Sequence, residues 1–266
     1  MVLDSLLLAL SAFLISLIAS MLGIGGGVLI VPLLTLVMGL TTQAAVGTSI
    51  VSILFLAISS TISNHRQKII DYKTSSLMAL GSIPGGAVGA YATKLVSSSG
   101  LGFIFGATLI LISLRFFKKL PMGGANPSGG WRRRITDSKG EVFEYTVRAA
   151  PGVAMSFIAG FASGFLGLGG GVVMVPVLRF VVGFPMHLAV VASLFIMIFT
   201  SLSGVMIHLQ LGHVVHGLAA ALVLGTILGA QAGSRLVRKV SSRNLERLFG
   251  SLLFLVGVRM AVEWLL

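Results

Sequence analysis

The sequence has no cysteine and few charged residues. The missing cysteine excludes a disulfide framework and a thiolate metal site. Only 10% of the 266 residues are charged, whereas 56% are hydrophobic and the mean hydropathy is +1.03. So few polar side chains could not cover the surface of a soluble protein of this length. The sequence therefore indicates an integral membrane protein in contact with the lipid bilayer.

Acidic residues are scarcer than basic ones, with seven Asp and Glu against 19 Lys and Arg. All seven lie in loops or near the ends of apolar segments, so no buried carboxylate indicates a proton or sodium relay. The net charge of +12 arises from loop residues that membrane topology requires, and it does not indicate a nucleic-acid partner. His208, His213 and His216 surround one loop without an accompanying acid or cysteine, so no metal site and no cofactor are predicted.

Eight to ten hydrophobic segments divide the chain. A membrane span needs about 20 apolar residues, and six segments approach that length: 42–63, 74–95, 100–117, 188–208, 214–236 and 248–266. Two longer regions, 3–40 and 149–183, are interrupted by "GIGGG" and "GLGGG". Each of them yields two short pieces, which either cross the bilayer separately or fold back as a hairpin.

The two interrupted regions belong to a duplication. Gly23 and Gly167 are 167 − 23 = 144 positions apart, and the same offset pairs Pro32 with Pro176 without a gap. One register held through four hydrophobic segments indicates two copies of one unit. We therefore divide the chain into a first transmembrane repeat (1–117), a linker (118–148) and a second transmembrane repeat (149–266).

The distribution of Lys and Arg predicts that the repeats are inverted. Loop 64–73 carries three such residues, whereas its counterpart, loop 209–216, carries none. The next loop reverses this pattern, with five between 235 and 247 and only Lys94 in the first repeat. Because cytoplasmic loops collect positive charge, we predict an all-α polytopic membrane protein of two inverted repeats, with the linker cytoplasmic and both termini outside.

The linker contains two prolines and five glycines, which is typical of a connector. In its second half, β-favouring stretches flank "DSKG" and predict a small surface hairpin. The alternative is a regulatory or lipid-contacting basic patch.

The glycine runs predict a binding site for a small anion. Breaking a helix inside a bilayer is costly unless the freed backbone groups face protein, water or a ligand. Paired breaks in inverted repeats are typical of a transporter site, where helix N-termini converge and favour negative charge. The alternative is that the glycines serve only close helix packing. The candidate substrate-binding residues are Gly25, Gly26, Gly27, Thr48, Ser49, Gly169, Gly170, Gly171 and Ser193.

Other glycines and two polar residues have a structural interpretation. Glycines spaced by four, namely Gly81, Gly85 and Gly89 with their counterparts Gly225, Gly229 and Gly233, predict close helix packing. Asn64 and His208 pair at the 144 offset near span ends, where we expect a solvated interface rather than ligand contact.

The paired motifs resemble a known family. "GIGGGVLIVPLL" followed by "AAVGTSI", repeated as "GLGGGVVMVPVL" with "AVVASLF", is similar to the TauE/SafE family of sulfite and organosulfur anion exporters. The resemblance covers nearly all of the chain outside the linker. It implies a carrier in a bacterial-type plasma membrane that moves sulfite or sulfonates. In this chain only the serine of Gly47-Thr48-Ser49 recurs, as Ser193.

Two other functions remain open from the sequence. Inverted repeats with half-helices also build channels, so an anion channel is one alternative. The other is an intramembrane serine hydrolase that pairs Ser163 or Ser203 with His208. The inside-negative potential could drive an anion outward without a proton-binding residue. Substrate, transport direction, coupling ion, number of crossings and oligomeric state do not follow from the sequence.

Overall fold

The computed structural model describes residues 2–117, 130–138 and 140–265. These residues are almost entirely helical, apart from one hairpin that follows the first half of the chain. The first part of the predicted connector, residues 118–129, lies outside the described residues.

Each half of the chain contributes five helices. In the first half these are α1 Val2–Leu22, α2 Gly27–Pro32, α3 Thr42–Arg66, α4 Tyr72–Ala92 and α5 Ser98–Phe117. In the second half they are α6 Ala149–Leu166, α7 Gly171–Pro176, α8 Met186–Gln210, α9 His216–Leu236 and α10 Ser242–Leu265. Helix α2 continues as a π-helix over Leu33–Val37, and α7 does so over Val177–Val182. Short 3₁₀ turns, Thr93–Leu95 and Val237–Lys239, follow α4 and α9.

The two halves have the same order and spacing of elements. Helices α2 and α7 begin 171 − 27 = 144 residues apart, and α3 and α8 begin 186 − 42 = 144 residues apart. The same difference separates the starts of α4 and α9 and of α5 and α10. Residues paired by the 144 offset therefore occupy equivalent places in equivalent helices.

Four of the described helices are long and apolar enough to cross a membrane: α3, α6, α8 and α9. Shorter apolar helical segments occur at Leu6–Leu22, Gly27–Val37, Ser98–Leu114 and Gly171–Val182. Large apolar side chains also point outward, for example Leu80 at 67% and Leu224 at 68% exposed. An outward apolar surface of this kind suits a lipid environment, which agrees with the predicted multi-pass membrane protein.

Glycine stripes join each half to the other. Helix α1 packs along α9, and α4 packs along α6. A Cβ atom added at Gly81, Gly85 or Gly89 of α4 would overlap backbone carbonyls of α6, and one added at the three counterpart glycines of α9 would overlap carbonyls of α1. Such close backbone approach is possible only without side chains. The predicted packing role of these six glycines is confirmed.

The predicted hairpin is present and is anchored to the helices. Strands Trp131–Thr136 and Val142–Val147 (β1 and β2) pair antiparallel. The buried carboxylate of Asp71 accepts hydrogen bonds from Nε and Nη2 of Arg133 (3.0 and 2.6 Å), from the Tyr145 hydroxyl (2.7 Å) and from the Thr74 backbone N–H (3.2 Å). Burial raises the pKa of Asp71, but these hydrogen bonds outweigh it and lower the pKa to about 2.

The hairpin marks one end of the helix bundle, here called the hairpin end. The Ser138 N–H donates to the Gln67 carbonyl (3.0 Å), and the Gln67 amide donates to Ser234 at the end of α9 (3.2 Å). At the other end of α3, the Val215 N–H of the loop after α8 donates to Thr48 Oγ1 (3.0 Å). The C-terminus of α3 is thus at the hairpin end, and the C-terminus of α8 packs near the start of α3.

Candidate functional site

The two glycine turns lie directly against each other in the middle of the bundle. A Cβ atom added at Gly27 would overlap the carbonyl oxygen of Gly167, and one added at Gly171 would overlap the carbonyl oxygen of Gly23. Gly23 and Gly167 belong to the turns that separate α1 from α2 and α6 from α7, and Gly27 and Gly171 are the residues at which these turns enter α2 and α7. The turns therefore meet backbone to backbone, which no residue other than glycine permits at Gly27 and Gly171.

Each turn ends in a glycine with left-handed backbone geometry. Gly26 has a φ of 83° and Gly170 a φ of 81°, and each is the N-cap of the following helix. L-residues with side chains rarely adopt this conformation. The carbonyl of Gly26 accepts the N–H groups of Leu29 and Ile30 at 3.0 and 2.9 Å, and Gly170 accepts its two counterparts in the same way.

The backbone N–H groups of the three consecutive glycines that lead into α2, and of the three that lead into α7, make no hydrogen bond within the described residues. No hydrogen bond from the backbone N–H of Gly25, Gly26 or Gly27, or of Gly169, Gly170 or Gly171, is found within the described ranges. These six donors precede the first intrahelical bonds of α2 and α7. A helix start with unpaired N–H groups and no Cβ atoms is an anion-binding arrangement.

Two serines hold the turns in place from the opposite repeat. Ser49 Oγ donates to the Gly167 carbonyl (3.2 Å) and to Val46 (2.9 Å). Ser193 Oγ donates to the Gly23 carbonyl (3.0 Å) and to its own helix. A hydroxyl has one proton to donate, and carbonyls take it in both cases. In this conformation the serines position the glycine turns rather than offer a donor to a ligand.

Eight of the nine predicted site residues therefore meet around the two turns, and Thr48 is the exception. Its hydroxyl accepts the Val215 N–H (3.0 Å) in the loop after α8. Thr48 follows Gly47, where an added Cβ would contact the His213 backbone. Thr48 thus belongs to the contact between α3 and that loop.

Apolar side chains close the space beside the turns. Ile53 and Met197 are a pair at the 144 offset, and both are buried. A Cβ atom at Gly25 would come 2.7 Å from Met197 Sδ, and one at Gly169 would come 3.2 Å from Ile53 Cδ1. These two residues are not evident from the sequence, because an Ile and a Met in an apolar helix carry no distinguishing signal.

Asn64 and His208 are buried, at 1% and 0% exposed. The prediction of a solvated interface for them is wrong, because α3 and α8 extend to Arg66 and Gln210 and neighbouring helices cover both side chains. His208 Nε2 donates to the Gly164 carbonyl (3.0 Å), and its Nδ1 lies 3.3 Å from His213 Nδ1. In the sequence, the pairing of Asn64 with His208 at the 144 offset was the feature that set these two residues apart.

Asn64 Nδ2 and Ser163 Oγ are among the buried polar atoms that have no hydrogen-bond partner in the described part of the chain. Ser163 lies beside the second turn, since a Cβ added at Gly170 would be 3.3 Å from its hydroxyl oxygen. Buried polar groups are normally satisfied. Unpaired donors at these two places are therefore candidates for contact with a passing ligand.

The geometry gives no support to a serine hydrolase. Ser203 Oγ donates to backbone carbonyls of Ile83 (3.1 Å) and Thr200 (2.8 Å). Within the described residues neither Ser163 nor Ser203 hydrogen-bonds to His208, whose ring nitrogens face Gly164 and His213. A nucleophilic serine needs a base within hydrogen-bond reach.

Comparison with known proteins gives consistent matches over almost the whole chain. The protein-family model "Sulfite exporter TauE/SafE" matches residues 8–260. The "Probable membrane transporter protein YunE" of Bacillus subtilis is 35% identical over 254 residues, which cover 92% of this chain and 93% of that one. The "Probable membrane transporter protein MJ0441" of Methanocaldococcus jannaschii is 25% identical over 269 residues, covering 96% and 94%. No solved structure matches significantly.

Proposed function

Since the chain belongs to the sulfite exporter TauE/SafE family, we propose that it exports small sulfur-containing anions, such as sulfite or sulfonates, across a bacterial-type plasma membrane. Its relatives are named as membrane transporters, which indicates a transporter rather than an enzyme. The observation that carries the proposal is the contact between two glycine turns with free N–H donors.

The free N–H groups would bind the anion. Helix α2 with its π-helical extension covers Gly27–Val37, and α7 with its extension covers Gly171–Val182. The N-terminus of each carries partial positive charge, which favours an anion by about 0.3 to 1 kcal/mol and by more where the site is partly buried. Apolar neighbours such as Ile53 and Met197 exclude water and strengthen this attraction.

Opposed repeats would give the site two routes of access. The C-terminus of α3 lies at the hairpin end, whereas the loop after α8 packs near the start of α3. Equivalent helices thus run in opposite directions, which supports inverted repeats. The distribution of Lys and Arg supports a cytoplasmic linker with both termini outside. Alternating access then follows if one repeat rocks against the other around the turns.

Close packing at the turns favours a carrier over a channel. Ile53 and Met197 fill the space beside the glycines, and Ser49 and Ser193 tie each turn to the other repeat. Substrate passage would require these serine bonds to break alternately. An anion leaving a cell gains about 2.3 kcal/mol per charge for each 100 mV of inside-negative potential, which supplies a drive without a coupling ion.

Bulky replacements at the turns test the proposal. Gly26→Leu and Gly170→Leu should abolish sulfite efflux from proteoliposomes while the protein still inserts. Gly39→Leu is the matched control, because Gly39 has a similar φ of 69° but nothing lies within 4 Å of an added Cβ. Normal efflux by both turn variants would refute the proposed anion site at the two glycine turns, here called the central site.

Substrate class is tested by ligand-induced stabilisation of the purified protein. Sulfite, sulfate, thiosulfate, sulfoacetate, taurine and chloride are compared in a thermal-shift titration, because a ligand that binds the folded state must stabilise it. Stabilisation by a sulfur oxyanion that is lost in Gly26→Leu is expected. A shift with chloride alone would contradict the proposed substrate class.

A further inference from the structure

We propose that a pocket at the hairpin end is a second anion site, which captures the substrate before it reaches the glycine turns. The pocket has a volume of about 370 Å³ and lies between the ends of α3 and α9 and the hairpin turn. We call it the basic vestibule, defined by Arg66, Gln67, Ser138, Gln231, Arg235 and Lys239. This inference rests on the proposed function for the identity of the anion, but not for the existence of the site.

The charges that line the vestibule are of one sign. Three cations face a shared space with two amides, two serines and one isoleucine, and no carboxylate of the described residues lines it. Elsewhere in the described residues, basic side chains do pair with acids: Arg133 with Asp71, Arg134 with Glu144, and Arg179 with Glu246. No such ion pair is found for Arg66, Arg235 or Lys239 in the described part of the chain. Cations held together without an acid repel each other unless an anion joins them.

The three cations of the vestibule are not repeated at their counterpart positions in the other half of the chain. At the 144 offset, Arg66 corresponds to Gln210, Arg235 to Tyr91 and Lys239 to Leu95. These three counterparts are neutral side chains, and a single cation, Lys94, lies near them, with its Nζ 3.5 Å from the centre of the Tyr91 ring. A topology rule explains positive charge on one side of a membrane. It does not require three cations to converge on one pocket.

A line of polar side chains leads inward from the vestibule. The Gln67 amide lies 3.4 Å from Asn64 Oδ1, and the amide nitrogen of buried Asn64 has no hydrogen-bond partner among the residues that the structure describes. One helical turn deeper, Ser60 Oγ is 2.7 Å from Ser20 Oγ, three residues before Gly23 of the first turn. Ser20 donates to the Ala230 carbonyl (2.9 Å), so the Ser60 hydroxyl donates to Ser20, and the Asn64 amide is the donor on this line that an oxyanion moving inward would meet first without breaking an existing bond.

The expected consequence is kinetic. A basic pocket at the entrance raises the local concentration of the anion and assists its capture. Loss of one vestibule cation should therefore raise the KM for flux that enters from the hairpin end and leave the maximal rate unchanged. Loss of the central site should instead abolish the maximal rate.

Anaerobic calorimetry with sodium sulfite tests the site on the full-length protein in nanodiscs. Arg66→Gln, Arg235→Gln and Lys239→Gln should each weaken one of two binding events about tenfold, the loss expected for one charge-assisted hydrogen bond. Arg243→Gln is the matched control, since Arg243 is an exposed cation just beyond the 3₁₀ turn that holds Lys239 and does not line the pocket. Equal weakening by Arg243→Gln would reduce the effect to general surface charge and overturn the inference.

Two further arms separate the possible outcomes. If Gly26→Leu loses all sulfite binding and the vestibule variants lose no binding, the inference of a vestibule site is overturned and the central site is supported. Binding that survives Gly26→Leu and is lost in Arg235→Gln would support the vestibule and count against the central site. Repeating the titration in neutral and in anionic nanodiscs distinguishes a free anion from a lipid headgroup. Equal affinity in both supports the inference, and loss of binding in anionic lipid would overturn it.

Discussion

Replacement of Gly27 by alanine should destabilise the protein although it improves helix propensity. Gly27 begins α2 and has no positive φ, so its backbone accepts an alanine. In a helix, alanine is favoured over glycine by about 0.5 to 1 kcal/mol. The added Cβ, however, would lie 2.9 Å from the carbonyl carbon of Gly167 and from Leu168 Cα, and closer still to the Gly167 oxygen. Because these neighbours are backbone atoms, the two turns must separate to admit the methyl group.

The expected net effect follows from these opposing terms. Overpacking of a tight contact costs about 1–3 kcal/mol, so subtracting the helix-propensity gain of about 0.5 to 1 kcal/mol leaves a loss of about 1 kcal/mol at the centre of the two ranges. For a chain of this size, that corresponds to a fall in Tm of about 2–4 °C. Gly171→Ala should have a similar effect, because an added Cβ would meet Gly23 in the same way. The double variant should lose less than the sum, since both changes widen one shared contact.

Thermal unfolding in one detergent, followed by size-exclusion chromatography of the heated samples, measures these shifts. Gly217→Ala is the control, because this helical glycine of α9 has nothing within 4 Å of an added Cβ. It should melt at or slightly above the wild-type temperature. If Gly27→Ala melts together with Gly217→Ala, the turns do not meet backbone to backbone and the geometry of the central site is wrong.

Protonation of Asp71 should release the hairpin. The pKa of Asp71 is about 2 in the folded protein against an ordinary value of 3.8. The ionised carboxylate therefore contributes about 2 kcal/mol of stability above pH 4, and this contribution is lost as the pH falls through 2. Acid melting curves should show this loss in the wild type and a smaller one in Asp71→Asn. Asn64→Leu should leave Tm unchanged or raise it, because a buried unpaired amide is removed. The same variant should lower sulfite efflux. A fall in Tm with normal efflux would contradict the proposed role of the line of polar side chains that leads inward from the vestibule. The chain has no cysteine, so Ser138→Cys and Gly212→Cys each introduce a single thiol. The two thiols should react with an impermeant maleimide from opposite sides of the membrane. Labelling from the same side would contradict the opposed repeats.

Much of the fold is visible in the sequence because duplication and glycine each leave a local signal. The 144 offset matches the helix starts, and the glycines spaced by four mark where α4 and α9 approach neighbouring backbones. The β-favouring residues around "DSKG" likewise predicted the hairpin from local preference alone. In each case a residue acts through its own backbone or its nearest neighbours along the chain.

The hydrogen-bond partners of individual side chains, in contrast, could not be predicted from the sequence. Ser49 and Thr48 are adjacent in sequence, but they lie on different faces of α3, so one meets Gly167 and the other meets Val215. Asn64 near a helix end predicted exposure, and only the packing around α3 shows that it is buried. Such contacts depend on helices from distant parts of the chain, which no local pattern specifies.

The sequence by itself determined the membrane class, the duplicated repeat and the positions of the helix interruptions, since these follow from hydrophobicity, spacing and the conformational freedom of glycine. Only the tertiary structure decided that the two interruptions touch, that Ser49 and Ser193 hold them from the opposite repeat, and that three cations converge at the hairpin end. The physical reason is that the contacts of the turns and of the two serines join residues more than a hundred positions apart, and that Arg66 is 235 − 66 = 169 positions from Arg235. Their geometry is set by how the helices pack and not by any one segment.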